Sequence, residues 1–134
     1  MIVVDTSAVL SVFLQEADAL RHARRIEEDD DPVMSAANVL ETSIVLRTAK
    51  RIAPEDAEQW LDRFLRTAGI RVEPVTRDQI DLARLAHARF GKGTGHAAQL
   101  NYGDCFAYAP AKRLDAPILS KGNDFTRTDL TPAL

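Results

Sequence analysis

Cysteine is nearly missing from this chain, with Cys105 alone among 134 residues. One thiol makes no internal disulfide and has no second cysteine with which to form a thiolate metal site, and its isolation suits a reducing compartment. Long apolar runs are missing as well. No stretch reaches the roughly 18 apolar residues of a membrane span, and no basic segment leading into an apolar run opens the chain. The expectation is a soluble, cytoplasmic protein with no membrane contact. An excess of positive charge is also lacking: 17 basic and 20 acidic residues leave a net charge of -3. That balance argues against broad attraction to nucleic acid, but it leaves room for a local basic rim around an acidic centre. Internal repeats and low-complexity tracts are absent. What is abundant is apolar surface, 46% hydrophobic residues in a chain of one-domain length, and residues 1–134 read as a single domain.

The opening Met1-Ile2-Val3-Val4-Asp5-Thr6-Ser7 is a short β-branched run ending on a carboxylate. It predicts a strand buried on both faces that delivers an acid at its C-terminal end, followed by a helix capped by Asp5, Thr6 or Ser7. A second helix is expected over 17–28, with His22 as a solvated residue on it, and the acidic run before Pro32 as a solvated loop. Pro32-Val33-Met34 and then Ser35 repeat the pattern of strand, cap and helix, the helix running to about Lys50 with Glu41 near its second turn. A helix starting at Pro54 presents Trp60, Leu61, Phe64 and Leu65 on one face. Ile70 to Val75 alternates like a strand, and Thr76 to Gln79 matches a capping box opening a helix to Phe90.

Gly91-Lys92-Gly93-Thr94-Gly95-His96 has the glycines of a phosphate loop without the spacing, and a helix precedes it where a strand is required. It reads as a mobile connection with Arg89, Lys92 and His96 within reach of an anionic substrate. Asn101 or Gly103 then caps a helix with Asp104 in its first turn, and Pro110 is expected to kink or end that helix. Cys105 reads as a small packed residue. Ala116 to Ser120 is a last buried strand, followed closely by Lys121 and Asp124.

The string β-α-α-β-α-α-β-α-α-β implies a mostly parallel sheet with right-handed crossovers and helices on both faces, a three-layer α/β/α domain. Such a sheet has one ligand edge, at the carboxyl ends of its strands. Asp5, Glu41, Asp104 and Asp124 all fall at strand ends or helix starts. Two carboxylates about 4 Å apart repel by roughly 4 kcal/mol at an effective dielectric of about 20, so four together require a compensating cation. An oxygen-only set suits Mg²⁺ or Mn²⁺, and the chemistry implied is metal-assisted phosphodiester hydrolysis. Thr6 and Ser7 would donate hydrogen bonds to a carboxylate, as residues that orient the ligands.

The blocks Val3-Val4-Asp5-Thr6-Ser7-Ala8, Leu100-Asn101-Tyr102-Gly103-Asp104-Cys105-Phe106-Ala107-Tyr108 and Lys121-Gly122-Asn123-Asp124-Phe125, with Ser35 and Glu41 between them, resemble the PIN-domain ribonucleases, and within them the VapC-type toxins of toxin-antitoxin pairs. The resemblance implies a PIN-like fold with Asp5, Glu41, Asp104 and Asp124 as catalytic acids binding Mg²⁺ or Mn²⁺. Beside these, Thr6, Ser7, Asn101 and, ranked lower, Asp129 are expected to support the acids, and Lys92, His96 and Lys121 to contact substrate. The resemblance further implies endonucleolytic cleavage of looped or single-stranded RNA such as transfer or ribosomal RNA, a homodimer, inhibition by a VapB-like antitoxin, and DNA contact only through that antitoxin. Where related sequences usually carry an ordinary helix former this chain has Pro110, which bears on the placing of Asp104. A competing reading keeps the fold as a noncatalytic module that binds antitoxin or RNA. A receiver-like signalling domain wants an acidic pair where Thr6 and Ser7 follow Asp5, and a dehalogenase-like phosphatase wants an aspartate where Ser7 stands.

Overall fold

A computed structural model describes residues 1–49 and 52–134. Its elements alternate as expected: β1 Ile2–Val4, α1 Thr6–Phe13, α2 Ala19–Glu27, β2 Pro32–Ser35, α3 Ala36–Ala49, α4 Pro54–Thr67, β3 Arg71–Glu73, α5 Arg77–Phe90, α6 Tyr102–Arg113 and β4 Ile118–Leu119. The helix expected to reach Lys50 is described to Ala49, and Lys50 itself lies outside the described residues.

The strands form one sheet in the order β3-β2-β1-β4, and every pairing is parallel. Parallel pairing puts all carboxyl ends on one edge, which is what the sequence pattern required. β1 is central and its side chains alternate between two cores. Ile2 and Val4 pack with Ala8, Val9, Ile26, Met34, Leu46 and Leu61 on the α1–α4 side. Val3 packs with Val33, Ala86, Phe90, Leu100 and Tyr108 on the α5–α6 side. A strand apolar on both faces is therefore the middle of a three-layer α/β/α sandwich. At the α4 end of the first core, Trp60 stacks on Phe64 with centroids 5.0 Å apart and takes the edge of Phe13 at 4.8 Å. β3 forms the exposed edge, where Arg71 pairs with Asp31 at 3.2 Å and with Glu73. Among the described residues no helix is long and apolar enough to cross a membrane.

Three local expectations change. His22 is buried at 4% exposure rather than solvated, because its Nδ1 meets Ser11 Oγ at 2.5 Å and joins α2 to α1. The Thr76–Gln79 box closes on one side only, Thr76 Oγ1 accepting from the Gln79 amide at 3.3 Å. Pro110 does not end its helix. α6 continues to Arg113, with Leu114 N donating to the Pro110 carbonyl at 2.9 Å. Proline removes its own donor and leaves the carbonyls of its turn available, and Ala107 to Ala111 are buried in the core, so packing sustains the last turn.

Candidate active site

The carboxyl edge of the sheet gathers its groups from four places in the chain. Asp5 follows β1 and caps α1: its Oδ2 accepts the Ser7 amide at 3.0 Å and the Ser7 hydroxyl at 2.6 Å. Its amide in turn donates to the Leu119 carbonyl at 2.9 Å, which anchors it to the end of β4. Asp5 is 4% exposed. Burial raises its carboxyl to about 6, the neighbouring Glu41 charge adding to the rise while the Ser7 bonds oppose it.

Asp104 lies in the first turn of α6 in a closed capping box. Asn101 Oδ1 accepts the Asp104 amide at 2.8 Å, and Asp104 Oδ2 accepts the Asn101 amide at 2.9 Å. Both residues are thereby locked at the helix entry. Burial lifts the Asp104 carboxyl to about 7 against the Asn101 bond, and the charges of Asp5, Asp124 and Glu41 all push in the same direction. The charges of three other acids are thus felt at Asp104. Asp124 stands in the exposed turn after β4, at the start of a 3-10 turn Phe125–Arg127.

Glu41 projects from α3 across to α6. Its Oε1 accepts from Thr6 Oγ1 at 2.5 Å and from Asn38 Nδ2 at 3.2 Å. Its Oε2 lies over Gly103: a Cβ built on that glycine would stand 1.9 Å from it. Glycine at 103 is thus what lets Glu41 approach this closely, since its backbone is ordinary helix. Nothing in the sequence pattern marked Asn38 or Gly103 for this role, because both contacts cross between helices.

Other expected residues fall on either side of this cluster. Thr6 and Ser7 join it through the bonds above. Lys121 joins through its backbone, its amide donating to Ser7 Oγ at 2.9 Å, while its ammonium pairs with Glu16. Asp129 is held elsewhere. It accepts from Tyr108 Oη at 2.8 Å and Lys112 Nζ at 2.7 Å in the second half of α6, and against the cost of burial these partners hold its carboxyl below the usual range. His96 is turned into its own loop: Nδ1 accepts the Ala98 amide at 3.0 Å and the ring meets the Phe90 ring at 5.0 Å. Lys92 is exposed on the same loop, and no contact links it to the acids. Cys105 is buried, and burial pushes its thiol up to about 11, which excludes it as a thiolate near neutral pH.

The donor set is carboxylate oxygen throughout, and burial together with neighbouring acids raises the proton affinity of Asp5 and Asp104. Glu41 Oε2 lies against Gly103, where a side chain at 103 would stand. A hard divalent cation fits this chemistry. Among the described residues no three acidic, histidine or cysteine side chains already stand together in metal-holding geometry, so the fit lies in donor type and charge.

The PIN domain family model matches residues 2–130. The chain is 43% identical over 132 residues to "Ribonuclease VapC28" of Mycobacterium tuberculosis, covering 98% of this chain and 97% of that protein. Among solved structures it is similar to Mycobacterium tuberculosis VapC20, described as a sarcin-ricin loop cleaving toxin, with TM-score 0.76, 18% identity and coverage of 98% and 97%. It is also similar to a chain of a toxin-antitoxin complex from Klebsiella pneumoniae, with TM-score 0.74, 12% identity and coverage of 100% and 98%. A parallel sheet with its acids on one edge, and a match along almost all of its length, place this chain in the PIN-domain family, among the VapC-type ribonucleases.

Proposed function

We propose that the chain is a divalent-metal-dependent endoribonuclease, the toxin of a toxin-antitoxin pair. The observation that carries this is the setting of two buried acids: burial and then the charges of Asp5, Asp124 and Glu41 raise the proton affinity of Asp104, and burial and then Glu41 raise that of Asp5. Like charges assembled against their own repulsion make sense as ligands for a cation. Asp5, Glu41, Asp104 and Asp124 would hold Mg²⁺ or Mn²⁺. When bound, such an ion supplies charge stabilisation and water activation for in-line hydrolysis at phosphorus.

The chain's own residues set up that reaction. Ser7 fixes the rotamer of Asp5, the Asn101 box fixes Asp104, and Thr6 with Asn38 holds one oxygen of Glu41 while the other lies over Gly103. Hydrolysis forms one bond from water oxygen to phosphorus and breaks one from phosphorus to the departing ribose oxygen. Lys121, at the rim and paired with Glu16, is the cation best placed to meet an RNA phosphate by exchanging partners.

The partners follow from the family and from one surface. Toxin-antitoxin complexes among the structural relatives support a VapB-like antitoxin as inhibitor. A groove of about 310 Å³ between α3 and α6, flanked by the exposed Leu40, Ile44 and Tyr102, supports a homodimer in which a second copy covers this strip.

The test is cleavage of labelled RNA by the purified chain. Cleavage with Mg²⁺ or Mn²⁺ that stops with chelator and in both Asp5→Asn and Asp104→Asn is the expected result. Cleavage persisting in both variants would remove the carboxylate site from the mechanism. Antitoxin or RNA binding by a wild-type chain that never cleaves would favour the noncatalytic reading.

A further inference from the structure

Asn38 is 0% exposed and belongs to none of the four acids. Its Nδ2 has two hydrogens and two acceptors: Glu41 Oε1 at 3.2 Å on its own helix, and the Gly103 carbonyl at 3.0 Å on α6, 65 residues away. The orientation of this amide is fixed by chemistry, since turning it over would set its oxygen against a carboxylate and a carbonyl. Its Oδ1 is left buried with no partner, a cost to the fold incurred in keeping the donors where they are. Gly103 directly precedes Asp104, so one side chain touches the carboxylate of one expected ligand and the backbone that carries another.

We infer that Asn38 is a positioning residue: its amide ties Glu41 to the helix that carries Asp104 and so sets the spacing of two carboxylates for a divalent cation. This rests on the reading of the acids as cation ligands. Thr6 donates to the same Glu41 oxygen from α1, and with Asn38 it grips Oε1 from two directions. With Thr6 alone the carboxylate can pivot about a single bond. With both, the carboxylate is held in one orientation, Oε2 lying over Gly103.

The experiment is titration of the metal-free full chain with Mn²⁺, following free Mn²⁺ by electron paramagnetic resonance, together with thermal melting. Asn38→Ala removes the clamp. Asn38→Ser keeps a small polar group too short to span both acceptors, and it carries the test if the alanine variant does not fold. The control is Thr42→Val. Thr42 is 0% exposed and its hydroxyl donates to the main-chain carbonyl of Asn38 at 2.7 Å, so its loss weakens the same turn without touching the amide or Glu41. Both Asn38 variants are expected to bind Mn²⁺ roughly tenfold or more weakly, whereas Thr42→Val melts lower but binds as the wild type does. Wild-type affinity in either folded Asn38 variant, or an equal loss in Thr42→Val, would overturn the inference. A wild-type chain that binds no Mn²⁺ would instead overturn the cation reading on which it rests.

Discussion

Ser7 Oγ stands between Asp5 and Lys121, donating to the carboxylate at 2.6 Å and accepting the lysine amide at 2.9 Å. One hydroxyl therefore joins the ends of β1 and β4 and orients the acid between them. Ser7→Ala is expected to strand the Lys121 amide and free Asp5. Thermal melting should show a loss of about 1–2 kcal/mol, and RNA cleavage should fall even where the protein is fully folded.

Gly103→Ala separates stability from function in the opposite direction. Alanine is a better helix former than glycine, a gain that is only partial in the first turn of α6, and the group it meets is the end of a glutamate side chain, which can swing away. The melting temperature should hold or rise. Mn²⁺ affinity and cleavage should drop at least roughly tenfold, because Oε2 of Glu41 is displaced from the site. A variant that cleaves like the wild type would show that Glu41 acts from another position.

The metal-free chain should lose stability as pH rises from about 4 to about 7. The sign follows from Asp5 and Asp104, whose folded values of about 6 and about 7 lie above the ordinary 3.8. Groups that hold protons more tightly when folded stabilise below the unfolded value, and that contribution is gone above the folded one. Asp5→Asn, which keeps a capping oxygen, should therefore melt higher than the wild type at pH 8 by roughly 2 kcal/mol, with the difference vanishing near pH 4. A lower melting temperature at pH 8 would make Asp5 primarily a structural cap. By the same linkage, Mn²⁺ binding should release protons and tighten between pH 6 and 8.

Pro110→Ala should leave cleavage unchanged. Asp104 is fixed by the Asn101 box in the first turn of α6, while the proline lies in the second half of the helix. Steady-state kinetics with a single RNA substrate is the check, and an altered kcat would mean that the proline sets the helix entry from a distance.

Much of this arrangement was legible in the sequence because it depends on local signals. Val3 and Val4 before Asp5, the cap residues after it, and the alternation of strand and helix patterns fix a parallel sheet and its acidic edge. The acids could be named because each follows an apolar strand or opens a helix. Contacts between elements were not legible. His22 reads as a surface residue from its arginine neighbours, yet Ser11 one helix earlier buries it. Asp129 sits near Asp124 in sequence, but Tyr108 and Lys112 draw it to the other end of α6. Gly103 read only as a possible cap and Asn38 carried no signal at all, and their role exists only where α3 crosses α6.

The strand order has a consequence for synthesis. The β4 neighbour of β1 and the Lys121 amide that secures Ser7 are made more than a hundred residues after β1 itself. Growing chains settle local structure early and distant pairings last. The nascent chain can therefore form its first helices around β1 while its acidic edge stays unfinished. Until residue 121 has been made and docked, the amide that ties Ser7 to the end of β4 is missing from that edge.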